Sequence, residues 1–389
     1  MKYAIVLPLL ATTVLAAPLL EERQGTCNLP SSFPTTTNAK LPDPFKFFNG
    51  NKVATLADWK CRQAEISAAM QAQELGVFPP KPSTVTATGS GTSLTISYSE
   101  GGKSGSFSVT IKKPSGTGPF PAIIAYGGAS IPIPAGVATI TFNNDQIAAQ
   151  QSSSSRGKGK FYDIYGSGHS AGALTAWAWG VDRVIDGLEL VDTGIDPKRV
   201  GVTGCSRNGK GAFVAGALVQ RVALTIPQES GSGGAACWRI SDSEKSAGKN
   251  IQTSGEIIGE NVWFSANFNS FAKASSTTAT DHHELAGLIA PRGLISIEND
   301  IDWLGPVSTT GCMKAGRLIY KAVGVPDNMG FSLVGGHSHC SFPSAQSTEL
   351  NAFIDKFLLN KSTSTAGVEK SSANVDVSKY IDWTPPTLS

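Results

Sequence analysis

The sequence predicts an α/β fold, a doubly wound and mostly parallel sheet in a three-layer sandwich, and three observations predict it. Continuous apolar runs, the pattern of strands covered on both faces, recur at Pro121–Gly127, Val137–Phe142, Val200–Gly204, Val222–Ile226, Gly293–Ile297 and Gly330–Val334. Helical patterns separate several of them, and strands alternating with helices build one sheet rather than two domains. One run passes directly into Gly-Cys-Ser-Arg-Asn-Gly-Lys-Gly at 204–211, a glycine-rich passage from strand to helix with a serine at its apex.

In chain order, Lys2, the apolar run Ala4–Leu15 and the small residues Ala16 and Ala17 come first. That is the pattern of a secretory leader, residues 1–17, too short to span a membrane. Residues 18–44, rich in proline and threonine from Thr26 to Pro44, are expected to form an extended arm pinned at Cys27. Residues 45–360 are the main domain. Leu56–Leu75 has Leu56, Trp59, Ile66, Met70 and Leu75 at helical spacing, with Asp58 and Glu65 on the polar face and Cys61 within it. Leu94–Ser99 and Phe107–Lys113 alternate apolar and polar residues around Glu-Gly-Gly-Lys at 100–103, a hairpin signal. Gln150–Lys160 reads as a polar loop, and Ala171–Val191, with Trp177, Trp179, Val181, Val184, Ile185 and Leu188, as a helix. Helix Gly209–Val219 follows the serine turn, and Ser344–Leu358 closes the domain. The Ser/Thr/Ala-rich stretch after Asn360, residues 361–389, is expected to be a poorly ordered tail.

Composition excludes some functions. With a net charge of +2, 16% charged residues and no basic run, nucleic acid is not an expected partner. No later apolar segment approaches the roughly 18 residues of a membrane span, so no membrane partner is expected, and the protein is expected to be a secreted, extracellular monomer. Six cysteines in a secreted chain imply three disulfides. No Cys-x-x-Cys pair occurs, so no zinc site is expected.

The chemistry starts at Ser206. A strand, a sharp turn and a helix lift a serine hydroxyl above the carboxyl end of a sheet, and small neighbours let the turn form. The usual spacing is Gly-x-Ser-x-Gly; here Asn208 holds the last glycine position and Gly209 comes one residue late. A serine is a poor nucleophile at neutral pH and needs a histidine oriented by a carboxylate. Among five histidines, His169, His282 and His283 read as structural, while His337 and His339 follow the last strand candidate, where α/β-hydrolases carry their base. Cysteines decide between those two. Cys205 precedes Ser206 and Cys340 follows His339; if serine and histidine meet, their neighbours come within the roughly 7 Å that a disulfide allows between Cα atoms. The remaining four cysteines then favour Cys27 with Cys61, joining arm to first helix, and Cys237 with Cys312, joining loops after two strands. For the acid, Glu229 follows one strand and Glu298, Asp300 and Asp302 another; the common position favours the later group.

These residues resemble the fungal glucuronoyl esterases, cell-wall carbohydrate esterases with the α/β-hydrolase fold. The resemblance rests on Gly-Cys-Ser-Arg-Asn-Gly-Lys-Gly at 204–211, Pro-Gln-Glu-Ser-Gly at 227–231 and His-Ser-His-Cys at 337–340, and covers essentially all of the chain after the leader. The late glycine is that family's own form. It implies Ser206 as nucleophile, His339 as base and Glu229 as acid, with Asp300 and Asp302 as backups, and Arg207 at the oxyanion. It also implies substrate contacts at Lys210, Gln252, Glu260 and Trp303: donors and an acceptor for sugar hydroxyls, and an apolar face for the ring. The expected substrates are glucuronoxylan and lignin-carbohydrate esters, with no cofactor and no metal. The alternatives are an acetyl xylan or feruloyl esterase, which would want an apolar acyl pocket, and a non-catalytic carbohydrate-binding protein.

Overall fold

The computed structural model describes residues 27–389; the leader expected at residues 1–17 lies outside them. Helix α1 (Leu56–Met70) starts where Thr55 and Asp58 cap each other's backbone N–H groups. It continues as one wider turn, Gln71–Leu75. Glu65, expected on the polar face, is buried instead, where Arg62 and the Phe48 N–H satisfy it.

Three antiparallel strands come next: β1 (Thr84–Gly89), β2 (Ser93–Glu100) and β3 (Lys103–Lys112). The expected hairpin is β2–β3, closed by Gly101 and Gly102, both at positive φ. Strand β1 was not legible in the sequence, because its Thr-Val-Thr-Ala-Thr-Gly run buries only Val85 and Ala87, and those partly. Strands β4 (Phe120–Tyr126) and β5 (Ala138–Phe142) follow, then α2 (Lys160–Tyr165), α3 (Ala173–Leu190), β6 (Ile195–Cys205) and α4 (Arg207–Leu218). Beyond them lie β7 (Leu224–Gln228), α5 (Trp238–Ser246), α6 (Ser254–Glu260), α7 (His282–Ile289), β8 (Gly293–Glu298), α8 (Pro306–Ala322), β9 (Met329–Leu333), α9 (Ser347–Phe357) and β10 (Glu369–Ser371).

The ten strands form one sheet in the order β1-β2-β3-β5-β4-β6-β7-β8-β9-β10. From β5 to β10 every neighbouring pair is parallel. Chain order reverses at β4, which has β5 on one side and β6 on the other. Such a reversal opens a crevice at the carboxyl ends of the strands, where open α/β sheets bind their ligands.

Helix α3 is buried around almost its whole circumference, and its two tryptophans keep their N–H groups satisfied: Trp177 donates to the Ala148 carbonyl (2.9 Å) and Trp179 to the Tyr165 hydroxyl (3.2 Å). Helix α4 lies so close to β7 that a Cβ at Gly216 would sit 2.1 Å from the Thr225 hydroxyl.

Helix α8 escaped the sequence reading because Ser308-Thr309-Thr310-Gly311 are weak helix formers. All four are buried, and small side chains suit close packing there. Cys312 lies within this helix and bonds to Cys237 at the start of α5, so that bridge joins two helices, not two loops. Cys27–Cys61 and Cys205–Cys340 form as expected.

The stretch 361–389 is not a loose tail. Strand β10 adds a parallel edge to β9, Trp383 is buried with its indole N–H on the Leu41 carbonyl (3.0 Å), and Leu388 N–H donates to Ala322 O (3.0 Å). Its polar composition hid one buried tryptophan, which pins the N-terminal arm and the C-terminal stretch together.

Candidate active site

Strand β6 delivers Ser206 to the crevice in a conformation that L-residues rarely adopt, φ 61° and ψ −127°. Such strain persists only where the surroundings over-determine it. Here the Ser206 N–H is bonded to Gln228 O on β7 (2.9 Å), and the Ser206 carbonyl accepts from Lys210 N–H (3.0 Å). Two glycines are required by contact. A Cβ at Gly204 would lie 2.5 Å from Asn208 O, and one at Gly209 would lie 2.5 Å from Gln228 O. The displaced glycine thus has a physical reason. Gly209 makes the close approach to β7, which leaves position 208 free for an amide: Asn208 donates to Tyr126 O (3.3 Å) and accepts from Asn144 (3.1 Å), tying the turn to β4.

Glu229 sits just past β7 at φ 45°, its N–H bonded to Ile297 O of β8 (2.7 Å). Its Oε2 accepts from His339 Nδ1 (2.7 Å), Cys340 N–H (2.8 Å) and Asn299 Nδ2 (3.3 Å). Burial pushes this carboxyl upward, but the His339 hydrogen bond, the Cys340 N–H, the imidazole charge and the Asn299 amide together hold it below the usual glutamate range. With Nδ1 donating to Glu229, the imidazole presents Nε2 as an acceptor, and that nitrogen is buried with no hydrogen-bond partner among the described residues. The Cys205–Cys340 bridge (Cα–Cα 5.7 Å) keeps the His339 loop beside the serine turn; a ring nitrogen of His339 lies within 4.8 Å of both bridge sulfurs. Joined as a disulfide, those sulfurs offer no thiolate to a metal.

The later carboxylates are arranged differently. Asp300 and Asp302 are exposed, and neither bonds to a histidine among the described residues; the Asp300 carboxyl lies over Gly335, where a Cβ would clash with it. Glu298 turns inward, its Oε1 accepting from Ser230 Oγ (2.9 Å), Ser296 Oγ (2.9 Å) and Ser230 N–H (3.3 Å). Burial pushes it up to about 7 against those bonds.

Around the rim, Lys210 is 4% exposed, donates to Ser230 O (2.5 Å) and lies 6.0 Å from the Trp263 ring centroid. Burial lowers it to about 8, opposed by the charges of Glu298 and Glu260. Gln252 donates from its side chain to Glu260 (3.1 Å) and from its backbone to Trp303 O (3.2 Å). The Trp303 ring meets His339 edge-on at 4.8 Å. Of these groups only Lys210 is buried; Gln252 and Trp303 are partly open and Glu260 is exposed. Arg207 is also exposed, with no hydrogen bond from its guanidinium among the described residues. His282 and His283 are buried structural residues of α7, and His169 packs on Phe161 and Tyr165. Asn299 and Ser230 were not legible in the sequence, because an amide and a hydroxyl carry no catalytic signature of their own and take their place here only through contacts to Glu229 and Glu298.

Fold and site together define the class, a carboxylic ester hydrolase on an α/β-hydrolase scaffold. A family model described as "Glucuronyl esterase, fungi" matches residues 96–324. The chain is 61% identical to the 4-O-methyl-glucuronoyl methylesterase of Thermothelomyces thermophilus over 96% of each chain, and 60% identical to that of Hypocrea jecorina over 94% of this chain and 80% of the relative. The crystal structure of glucuronoyl esterase from Sporotrichum thermophile superposes with a TM-score of 0.92 at 61% identity, covering 93% of this chain and 100% of that one. The chain belongs to the fungal glucuronoyl esterase family.

Proposed function

We propose that the protein hydrolyses the ester between 4-O-methyl-D-glucuronic acid side chains of glucuronoxylan and lignin alcohols, through an acyl-enzyme on Ser206. The observation that carries this reading is the unpartnered His339 Nε2, held beside the serine turn by a bridge and oriented through Nδ1 by Glu229. His339 Nε2 takes the Ser206 proton as Oγ attacks the uronate carbonyl carbon, and returns it to the departing alcohol oxygen. Water then gives its proton to the same nitrogen, attacks the acyl carbon and releases the uronic acid and free serine.

The oxyanion is assigned to Arg207. Its backbone N–H opens α4 and is free of the helix ladder. In this fold a second donor commonly comes from the loop after the strand corresponding to β4. Here the Gly127 and Gly128 N–H groups are already bonded to Phe142 O and Ala125 O, and the resemblance to the glucuronoyl esterases implies the Arg207 guanidinium for that role. One such donor is worth about 3 kcal/mol.

The substrate class is supported by a relative: the Sporotrichum thermophile enzyme, as a serine-to-alanine variant, was crystallised with methyl 4-O-methyl-β-D-glucopyranuronate. Lys210, Gln252, Glu260 and Trp303 are the residues we assign to the sugar ring. Secretion is supported by the leader pattern and three disulfides.

The test is hydrolysis of paired methyl esters of glucuronic and galacturonic acid. The glucuronate ester should be strongly preferred, because a misplaced hydroxyl leaves site groups unpaired. Lys210→Ala and Trp303→Ala should lower kcat/KM while leaving fluorophosphonate labelling of Ser206 intact. Equal turnover of the epimers, or rapid acetate release from acetylated xylan, would refute the substrate and leave the serine mechanism standing.

A further inference from the structure

His337 is the second imidazole of the site, and the mechanism above does not use it. Its Nε2 lies 2.8 Å from Val334 O. A carbonyl only accepts, so Nε2 carries a proton, and in the neutral ring Nδ1 is then an acceptor. The donor in front of it is Asn299 Nδ2, at 3.2 Å. That amide cannot be flipped without loss, because Asn299 Oδ1 already accepts the Asp300 N–H (2.8 Å). One Nδ2 hydrogen serves His337, whose Nδ1 and carbonyl both lie at 3.2 Å; the other points to Glu229 Oε2 at 3.3 Å. Asn299 and Glu229 are both 1% exposed, and the His337 side chain is 11% exposed.

The remaining surroundings of His337 Nδ1 are the Ser338 carbonyl at 3.2 Å and Glu229 Oε1 at 3.8 Å. In the neutral ring neither gives a hydrogen bond, since three acceptors face one another without a proton. The contact through Asn299 is the one that pairs a donor with an acceptor at each end.

We propose that His337 and Asn299 are positioning residues for Glu229. His337 Nδ1 fixes the Asn299 carboxamide, and the carboxamide fixes the Glu229 carboxylate with Oε2 turned to His339 Nδ1. This rests on Glu229 being the acid. The carboxylate needs the support because Oε1 is weakly held, by Gln228 at 3.5 Å. Released from Asn299, it can rotate and take His339 out of line with Ser206. Three strands meet in this relay: Glu229 follows β7, Asn299 follows β8 and His337 follows β9.

The test is kcat and KM on methyl glucuronate for two sets of variants, with thermal unfolding confirming that each is folded. Asn299→Ala should lower kcat about 10- to 100-fold with KM nearly unchanged, the cost of a misaligned catalytic group. His337→Ala should follow it, and the His337 set stays readable if Asn299→Ala does not fold. The discriminating pair is His337→Asn and His337→Gln. An asparagine oxygen falls near the place of Nδ1 and can still accept from Asn299, whereas a glutamine amide falls near Nε2 and can only keep the tie to Val334. His337→Asn should recover most of the activity that His337→Ala loses, and His337→Gln should not. Rescue by glutamine alone would make His337 a strap for its own loop and overturn the proposal. Unchanged kcat in Asn299→Ala would also overturn it, provided Glu229→Gln is inactive. A nearly fully active Glu229→Gln enzyme would instead remove the acid assignment itself, and the relay with it.

Discussion

Two carboxylate–imidazole pairs in this molecule have the same 2.7 Å contact, Glu229 with His339 and Glu74 with His282, and they are chemically unlike. His282 is 1% exposed, with Nδ1 2.6 Å from Gly234 O and Nε2 on Glu74. Both neighbours are acceptors. Burial opposes a charge there, but Glu74, Asp281 and the Gly234 carbonyl outweigh it and raise the ring above its ordinary value. An imidazole held with two donated N–H groups has no lone pair to take a proton. His339 has one nitrogen engaged and the other open. The difference teaches that a buried acid beside a histidine does not by itself make a base; the free nitrogen must also sit at the nucleophile, as His339 Nε2 does beside the serine turn and the equally unpartnered Nδ1 of His283, buried in α7, does not.

The largest effect that tests this contrast is on turnover. Glu229→Ala should lower kcat on methyl glucuronate about 10,000-fold, as an unoriented imidazole loses its tautomer and its charge stabilisation. Asp300→Ala and Asp302→Ala should stay within a few-fold. Collapse in either aspartate variant, with an active Glu229→Ala enzyme, would move the acid to the strand after β7.

The bridge comes next. Removing Cys205–Cys340 by a double alanine variant opens a link of sequence separation 135, about 5 kcal/mol in the chain-entropy model, against about 4 kcal/mol for the separation of 34 at Cys27–Cys61. Denaturant midpoints measure both. The Cys205 variant should also lose kcat below the unfolding transition, because the bridge holds His339 at the serine. Full activity up to that transition would show that the loops hold it unaided.

Glu74→Gln should leave kcat nearly unchanged and cost about 3 kcal/mol of stability, the loss expected from breaking a buried ion pair. Its pH dependence has a definite sign. A histidine raised above 6.5 in the folded state contributes stability that is fully present below pH 6.5 and lost as pH rises through the folded value. Wild-type stability should therefore fall above pH 6.5 through this group, and the variant should fall less. A large kcat defect would place His282 in the chemistry.

The smallest effect belongs to Glu298. Its carboxyl is raised from 4.5 to about 7, so its contribution is fully present below pH 4.5 and lost as pH rises through 7. Glu298→Gln resembles the protonated acid and keeps an acceptor for Ser230 and Ser296. It should be as active as wild type at pH 5 and more stable above pH 7, by thermal melts at both values. Lower stability at high pH would mean that the ionised form is the one the fold favours, through Lys210.

The sequence by itself determined the elements whose apolar pattern is long or continuous, among them α3, β4, β6 and β8, because burial on both faces fills them with apolar residues that their few polar ones do not interrupt for long. It also pointed to Ser206 and His339, the pair we assign as nucleophile and base, by the bridge expected between their neighbours, and that bridge forms. Tertiary structure alone decided the rest. Glu229 and Glu298 are both glutamates at the ends of adjacent strands, separated in the sequence only by the family resemblance; in the fold the positive φ at Glu229 turns one to His339, and Ser230 with Ser296 turns the other inward. Asn299 was invisible for the same reason, an amide whose role depends on contacts to loops 38 and 70 residues away in sequence. The packing of 361–389 hung on Trp383, whose partner Leu41 lies at the opposite end of the chain. Local composition reports how a segment would behave alone, and these residues act through partners that only the folded chain brings near.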